Sequence, residues 1–142
     1  LALEWTPTTD GGFVAVVGPY LLHVHPDVRY WYWRTGDASG LGAGASDAKA
    51  IACRVAASWL RPLLAETPQW VATERESFAT LGPYLLRTHR NDLGYYWWKA
   101  GPWEGMGGKT IEAAQDAASE RVRYEVGVML KQLLPQAMDN SP

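Results

Sequence analysis

The sequence predicts an α+β protein built by tandem duplication: two copies of a three-stranded antiparallel sheet followed by one helix, in the order βββα-βββα. Three observations predict it. The pentapeptide Gly18-Pro19-Tyr20-Leu21-Leu22 returns unchanged as Gly82-Pro83-Tyr84-Leu85-Leu86. The run Tyr30-Trp31-Tyr32-Trp33-Arg34 is answered by Tyr95-Tyr96-Trp97-Trp98-Lys99. Each run leads through a glycine-rich stretch, Gly40-Leu41-Gly42 or Gly105-Met106-Gly107, into an alanine-rich segment. Trp5 pairs with Trp70 and Phe13 with Phe78. The offset is 65 residues at Trp5, Phe13, Tyr30 and Gly40 but 64 at the pentapeptide, so the second copy has one deletion before it and one insertion after it.

Residues 1–12 read as a lead-in anchored by Trp5 and closed by the turn Asp10-Gly11-Gly12. Residues 13–17 are β-branched and aromatic, a short strand. Gly18-Pro19 interrupts it, since proline cannot donate to a ladder. Residues 20–25 form a second strand, Pro26-Asp27 a turn, and residues 29–35 a third strand rich in side chains that fit a pleated surface. Residues 36–45 read as a glycine-rich loop. Ser46 is placed as the helix N-cap, with Asp47 in the first turn, where a negative charge suits the helix dipole. Ala48, Ile51, Ala52, Val55, Trp59 and Leu63 recur in steps of three and four, an amphipathic helix that Arg61-Pro62 ends or kinks.

After a hinge at residues 65–69 the order repeats. Residues 70–73 are the lead-in, 78–81, 84–89 and 94–100 the strands, and 101–109 the loop. Thr110 caps a second helix with Glu112 in its first turn and the apolar stripe Ile111, Ala114, Ala118, Val122, Val126, Met129 and Leu133. Pro135 is expected to stop it, leaving residues 136–142 as a polar tail. The pattern leaves open whether each lead-in adds a strand. A 65-residue unit buries little surface on its own. Copies at 1–65 and 66–142 are therefore expected to share one core or interface about a pseudo-twofold axis.

The net charge is −2; the first copy has five acids and five bases, the second ten acids and eight bases. Neither copy carries a basic field that would draw it to nucleic acid or anionic membrane, so any cationic site must be local. Cys53 is the single cysteine, which rules out an intrachain disulfide and suits a cytoplasmic location. No apolar run approaches the roughly 20 residues of a membrane span, so no membrane partner is expected.

Alternation along the strands sorts side chains into two sets. Tyr20, Leu22 and Val24, and Tyr84, Leu86 and Thr88, form the natural core face. Opposite lie Leu21, His23 and His25, and Leu85, Arg87 and His89. In the third strands Trp31 and Trp33 oppose Tyr30, Tyr32 and Arg34, while Tyr96 and Trp98 oppose Tyr95, Trp97 and Lys99. A cation at the same place in both copies avoids an apolar core, so the Arg34 and Lys99 sets are expected to face away from the helices. The candidate binding residues are therefore Tyr30, Tyr32, Arg34, His23, His25, Tyr95, Trp97, Lys99, Arg87 and His89. Two readings of that face stay open: packing between the repeats, or a platform on which unstacked bases, or sugars, lie against the rings.

Other signals carry less chemistry. Gly105-Met106-Gly107-Gly108-Lys109-Thr110 ends like a phosphate loop, but Trp103 stands where the motif needs glycine, and the strands are antiparallel. Gly40-Leu41-Gly42-Ala43-Gly44 lacks the strand–helix–strand unit of a dinucleotide site. His23-Val24-His25 sets two imidazoles on one side of a strand, but zinc sites take three or four protein ligands. The second copy has Arg87 and His89 there, so no metal and no cofactor is expected. No nucleophile stands at a readable spacing from a histidine, and no enzyme is expected. Cys53 beside the apolar stripe reads as a buried inert thiol.

The order of tryptophan, Gly-Pro-Tyr-Leu-Leu, aromatic strand, glycine-rich loop and alanine-rich helix resembles small uncharacterised proteins of proteobacterial phages and prophages, which have no assigned activity. In topology the tandem sheet-then-helix repeat is similar to the PUR-repeat and Whirly folds, whose curved sheets take single-stranded DNA, although those have four strands per copy. It also resembles the sheet-plus-helix of AP2-type and integrase arm-binding domains, which lies in the DNA major groove. The resemblance implies a non-enzymatic binding module for single-stranded nucleic acid. The alternative is a phage product that engages a host protein through the same aromatics. The oligomeric state is not legible.

Overall fold

The computed structural model describes residues 3–138. Each copy is a five-stranded antiparallel meander followed by a helix, not the three-stranded sheet expected. The first sheet runs β1 (Thr6–Pro7), β2 (Phe13–Val17), β3 (Tyr20–Pro26), β4 (Trp31–Thr35) and β5 (Ala38–Gly42) in spatial as in chain order. Helix α1 (Ala45–Leu60) and a 3-10 turn (Arg61–Leu64) follow. The second sheet repeats the meander with β6 (Val71–Ala72), β7 (Glu76–Leu81), β8 (Tyr84–Arg90), β9 (Tyr96–Ala100) and β10 (Trp103–Gly108), and α2 spans Ile111–Ala137. The two similar sheet–helix halves fit an internal duplication. The chain divides into two compact units: one runs to Arg61 and resumes at Val128, the other is Pro62–Gly127.

The outer strands are hard to read from the sequence for two reasons. β1 and β6 are two residues each, too short to show a period. β5 and β10 occupy what reads as glycine-rich loop. Their glycines fall at every second position, on the inward face. A Cβ on Gly40 would lie 2.8 Å from the Trp33 indole nitrogen, and one on Gly105 2.8 Å from the Trp98 ring. A Cβ on Gly42 would lie 2.7 Å from the Ala48 nitrogen, and one on Gly107 2.6 Å from the Ala114 Cβ. Glycine here admits an indole and a helix backbone against the sheet, which is a strand use of the residue. The outward positions, Ser39, Leu41, Glu104 and Met106, keep ordinary side chains.

Turn chemistry sets the register. Gly18, Gly36, Gly82 and Gly101 have φ between +55° and +58° and open two-residue hairpin turns, the position that favours glycine in this turn class. Counting from those turns corrects one alignment. Val14 pairs with His23 and Phe78 with Arg87, so Phe78 stands where Val14 does. Phe13 corresponds to Ser77 instead, and the two phenylalanines face opposite sides of their sheets. The deletion falls in the turn before β7. The insertion falls in the β8–β9 turn, where Asn91 accepts hydrogen bonds from the Leu93 and Tyr95 amides.

In the first unit Ala15, Val17, Leu22, Val24 and Trp33 are buried, and α1 packs on β3, β4 and β5. The buried helix face is Ala48, Ala52, Ala56 and Leu60, while Ile51, Val55 and Trp59 are only half-buried. Of the expected stripe Ala48, Ala52 and Leu63 are buried, and the large residues between them are corrected: a helix seated on glycine strands puts its smallest side chains at the contact and its large ones on the flanks. Trp59 lies against Tyr20, with ring centroids 5.3 Å apart. In the second unit Leu81, Tyr84, Leu86 and Trp98 are buried, as are Ala114, Ala118, Val122 and Val126 along α2. A Ser77–Thr88 hydroxyl pair is buried there too, with Gln115 Nε2 donating to Ser77 Oγ at 3.2 Å.

The helix ends differ from expectation in two places. Gly44, not Ser46, occupies the N-cap of α1, and Asp47 Oδ2 accepts from the Ala43 amide at 2.9 Å. Pro135 lies inside α2, near its end. Of the expected polar tail, Gln136 and Ala137 are helical and residues 139–142 lie outside the described residues. Thr110 Oγ1 accepts from the Ala113 amide at 3.1 Å, a cap as expected.

Candidate binding faces and the Asp10-His23-His25 cluster

Each meander covers one face with a helix and leaves the other to solvent. On the first sheet the open face carries His23, His25, Tyr32 and Arg34 together with Leu21 and Leu41. The register sets His23 opposite Arg34, and His25 opposite Tyr32, which stands opposite Leu41. On the second, Arg87 lies opposite Lys99, and His89 opposite Trp97, itself opposite Met106. Tyr30 and Tyr95 are exposed but belong to the turns before β4 and β9, not to the strand face. Lys109 Nζ lies 5.6 Å from the Tyr95 ring centroid.

The open faces are aliphatic as much as aromatic, since Leu41 and Met106, in stretches that read as loop, join Leu21 and Leu85 there. Leu21 is 54% exposed and its counterpart Leu85 58%; Leu41 is 49% exposed and its counterpart Met106 63%. Shallow grooves border both sets. One of about 410 Å³ is lined by Pro19, Tyr20, Leu21, His23, Arg34 and Gly36. One of about 360 Å³ is lined by Trp97, Glu104, Gly105 and Met106.

The two faces differ in their charges. In the second unit Glu76 Oε1 accepts from Arg87 Nη2 at 2.7 Å and lies 3.0 Å from His89 Nδ1. The Arg87 hydrogen bond, seconded by His89, holds the Glu76 carboxyl below the usual carboxylate range. The Arg87 guanidinium lies 5.7 Å from the Phe78 ring centroid and 5.8 Å from that of Trp97, so it covers part of both rings. The His89 and Trp97 centroids are 5.5 Å apart. This cluster is internally neutralised.

In the first unit the carboxylate is Asp10, which sequence reasoning left in a turn. Asp10 Oδ2 lies 3.2 Å from His23 Nε2. Its other oxygen accepts from the Thr8 hydroxyl and, at 2.9 Å, from the Gly12 amide. Those two hydrogen bonds, Thr8 foremost, depress the Asp10 carboxyl below its ordinary value. A Cβ on Gly12 would lie 2.9 Å from the His25 Cα, so glycine lets the turn sit directly on that residue. The His25 ring is 5.1 Å from His23 and stacks on Tyr32 at 5.3 Å and 19°. His25 Nδ1 is buried with no hydrogen-bond partner. Asp10, His23 and His25 each offer a ligand atom within 4.8 Å of the others. The signal that finds Asp10 is the hairpin register: pairing Phe13 with Val24 folds the preceding turn back toward His25 and His23.

Cys53 is buried, and burial pushes its thiol up to about 12. Among the described residues no helix is long and apolar enough to cross a membrane. Comparison of the chain with protein-family models, curated proteins and solved structures gives no match, so the functional reading rests on these sites themselves.

Proposed function

We propose that the chain is a non-enzymatic binding module whose helix-free sheet faces dock a protein partner with a complementary apolar surface. One observation carries this reading: exposed apolar positions recur in both copies, Leu21 with Leu85 and Leu41 with Met106, each pair flanked by an aromatic ring, exposed Tyr32 or half-buried Trp97. Burying such side chains returns about 25 cal/mol per Å², and nothing in a phosphate backbone would do so. The Arg87 charge is already met by Glu76, and Glu104 stands opposite Lys99, which lowers the attraction for polyanions.

A second reading, single-stranded nucleic acid, draws on a different observation. Arg34 and Lys99 lie exposed at matched positions beside Tyr32 and Trp97, and among the described residues neither is paired with a carboxylate. Stacking on such rings is worth about 1–3 kcal/mol per base.

The test pairs two measurements on the intact chain. A benzophenone amino acid at Leu41 or Met106 is used for photocrosslinking in cells that express it, and labelled oligonucleotides are titrated at low salt. The proposal expects a discrete, nuclease-resistant protein adduct that survives high salt and disappears with Leu85→Asp. No such adduct, together with oligonucleotide affinity that falls steeply with salt and weakens on Trp97→Ala, overturns it in favour of nucleic acid.

A further inference from the structure

The first unit holds a side-chain set that the binding reading leaves unused. We propose that Asp10, His23 and His25 form a binding site for one divalent first-row transition metal ion of the zinc type, with at least one coordination position open to solvent. The donor set is two imidazole nitrogens and one carboxylate oxygen, which suits such ions and disfavours magnesium and calcium, whose sites are built from oxygen.

Geometry brings the three ligand atoms within 4.8 Å of one another and sets one pair at ligand spacing. Ligands bound at about 2.0–2.1 Å stand roughly 2.9 Å apart at a right angle and about 3.4 Å apart at the tetrahedral angle. Asp10 Oδ2 and His23 Nε2 are 3.2 Å apart, inside that range. The Asp10 carboxylate is oriented from behind. The Thr8 hydroxyl and the Gly12 amide hold Oδ1, leaving Oδ2 turned toward His23. Anchoring of this kind is what fixes a metal ligand in place. His25 is held by stacking on Tyr32.

A second observation points independently to a ligand. His25 Nδ1 is shut away from water and meets no protein donor or acceptor. A buried polar atom in that state calls for an explanation, and an ion is one of the few available.

The second copy supplies an internal control. Arg87 replaces His23 there, and its guanidinium satisfies Glu76 directly. A guanidinium carries no free lone pair and stays protonated, so it cannot ligate a metal. The same scaffold thus carries a built-in cation in one copy and, in the other, a three-ligand set that takes one from solution. Arg34 lies opposite His23 on the neighbouring strand, so water or an anionic oxygen atom is the natural ligand for the open position.

The experiment is calorimetric titration of the untagged, metal-stripped full chain with Zn²⁺ at pH 7.5, with Co²⁺ absorption as a second readout. The expected result is one Zn²⁺ per chain, with d–d bands when Co²⁺ replaces it. Affinity should fall at least about tenfold in Asp10→Asn and in His25→Ala. His23→Arg should abolish binding yet keep the parent circular dichroism, since Arg87 shows that the strand accepts arginine there. His89→Ala should leave the titration unchanged. Absence of Zn²⁺ binding, or binding that survives His23→Arg, overturns the proposal. So does binding that is lost on His89→Ala.

Discussion

Gly107→Ala is the sharpest test of how helix and sheet meet. The new Cβ would stand 2.6 Å from the Ala114 Cβ, 2.9 Å from its nitrogen, and closer still to its Cα. Carbon atoms rest at about 3.5–4.0 Å, so a gap of about 1 Å has to open. No rotamer change relieves this, because the obstacle is helix backbone and the first side-chain carbon. The first turns of α2 must withdraw from β10. Overpacking of this kind costs about 1–3 kcal/mol. At about 3–4 °C per kcal/mol for a chain of this size, Tm falls by about 3–12 °C. Thermal melts followed at 222 nm give the number. Gly127→Ala is the control: nothing lies within 4 Å of its Cβ position, and removing a helical glycine gains up to about 1 kcal/mol. If Gly107→Ala melts with or above the parent while Gly127→Ala rises, the close approach of α2 to β10 is not as described.

Val122→Asp should unfold the chain at ambient temperature, because the side chain is fully buried and an unpaired buried charge costs about 3–5 kcal/mol; a parent-like denaturation midpoint would show the helix face to be wrong. Cys53 should resist a thiol reagent at pH 8 in the native state and react at once in denaturant. Burial raises the folded thiol from 9.0 to about 12, so the preference for the protonated form is intact below about pH 9 and lost as pH rises toward 12. Rapid native labelling at pH 8 would contradict that burial.

Much of the fold was legible because duplication checks itself. The pentapeptide fixed a hairpin turn twice, and alternation on β3, β4, β8 and β9 sorted Leu22 and Val24 from His23 and His25 without error. Two of the failures share one cause, that glycine is read as a breaker. In β5 and β10 it is the residue that lets Trp33, Trp98 and the helices close on the sheet, and the space it leaves belongs to neighbours far along the chain. A local window sees the missing side chain and not the indole that fills its place. The same blindness put Ile51 and Val55 in the buried face of α1 beside Ala48 and Ala52, and left out Ala56. The Phe13–Phe78 match failed for another reason, since identity of letters outweighed the one-residue register that turns Phe78 outward.

The candidate sites were legible only along single strands. His23, His25 and Tyr32 could be placed on one face by counting, because alternation is local. Asp10 could not, because its position depends on a five-residue turn folding back over β3, and turn geometry has no period. The consequence is chemical. A pair of histidines two residues apart is short of a metal site, and the third ligand changes what the pair can do. Position 23 is then one of two points at which the copies part company, the placement of the carboxylate being the other. Histidine at position 23 leaves an imidazole and a carboxylate with ligand atoms to offer, whereas arginine at position 87 locks its carboxylate into an ion pair. Duplication kept the scaffold twice and left one copy with a closed charge cluster and the other with an open one, and the difference rests on two changes: where the carboxylate sits, Asp10 in the turn before β2 or Glu76 on β7, and whether histidine or arginine meets it.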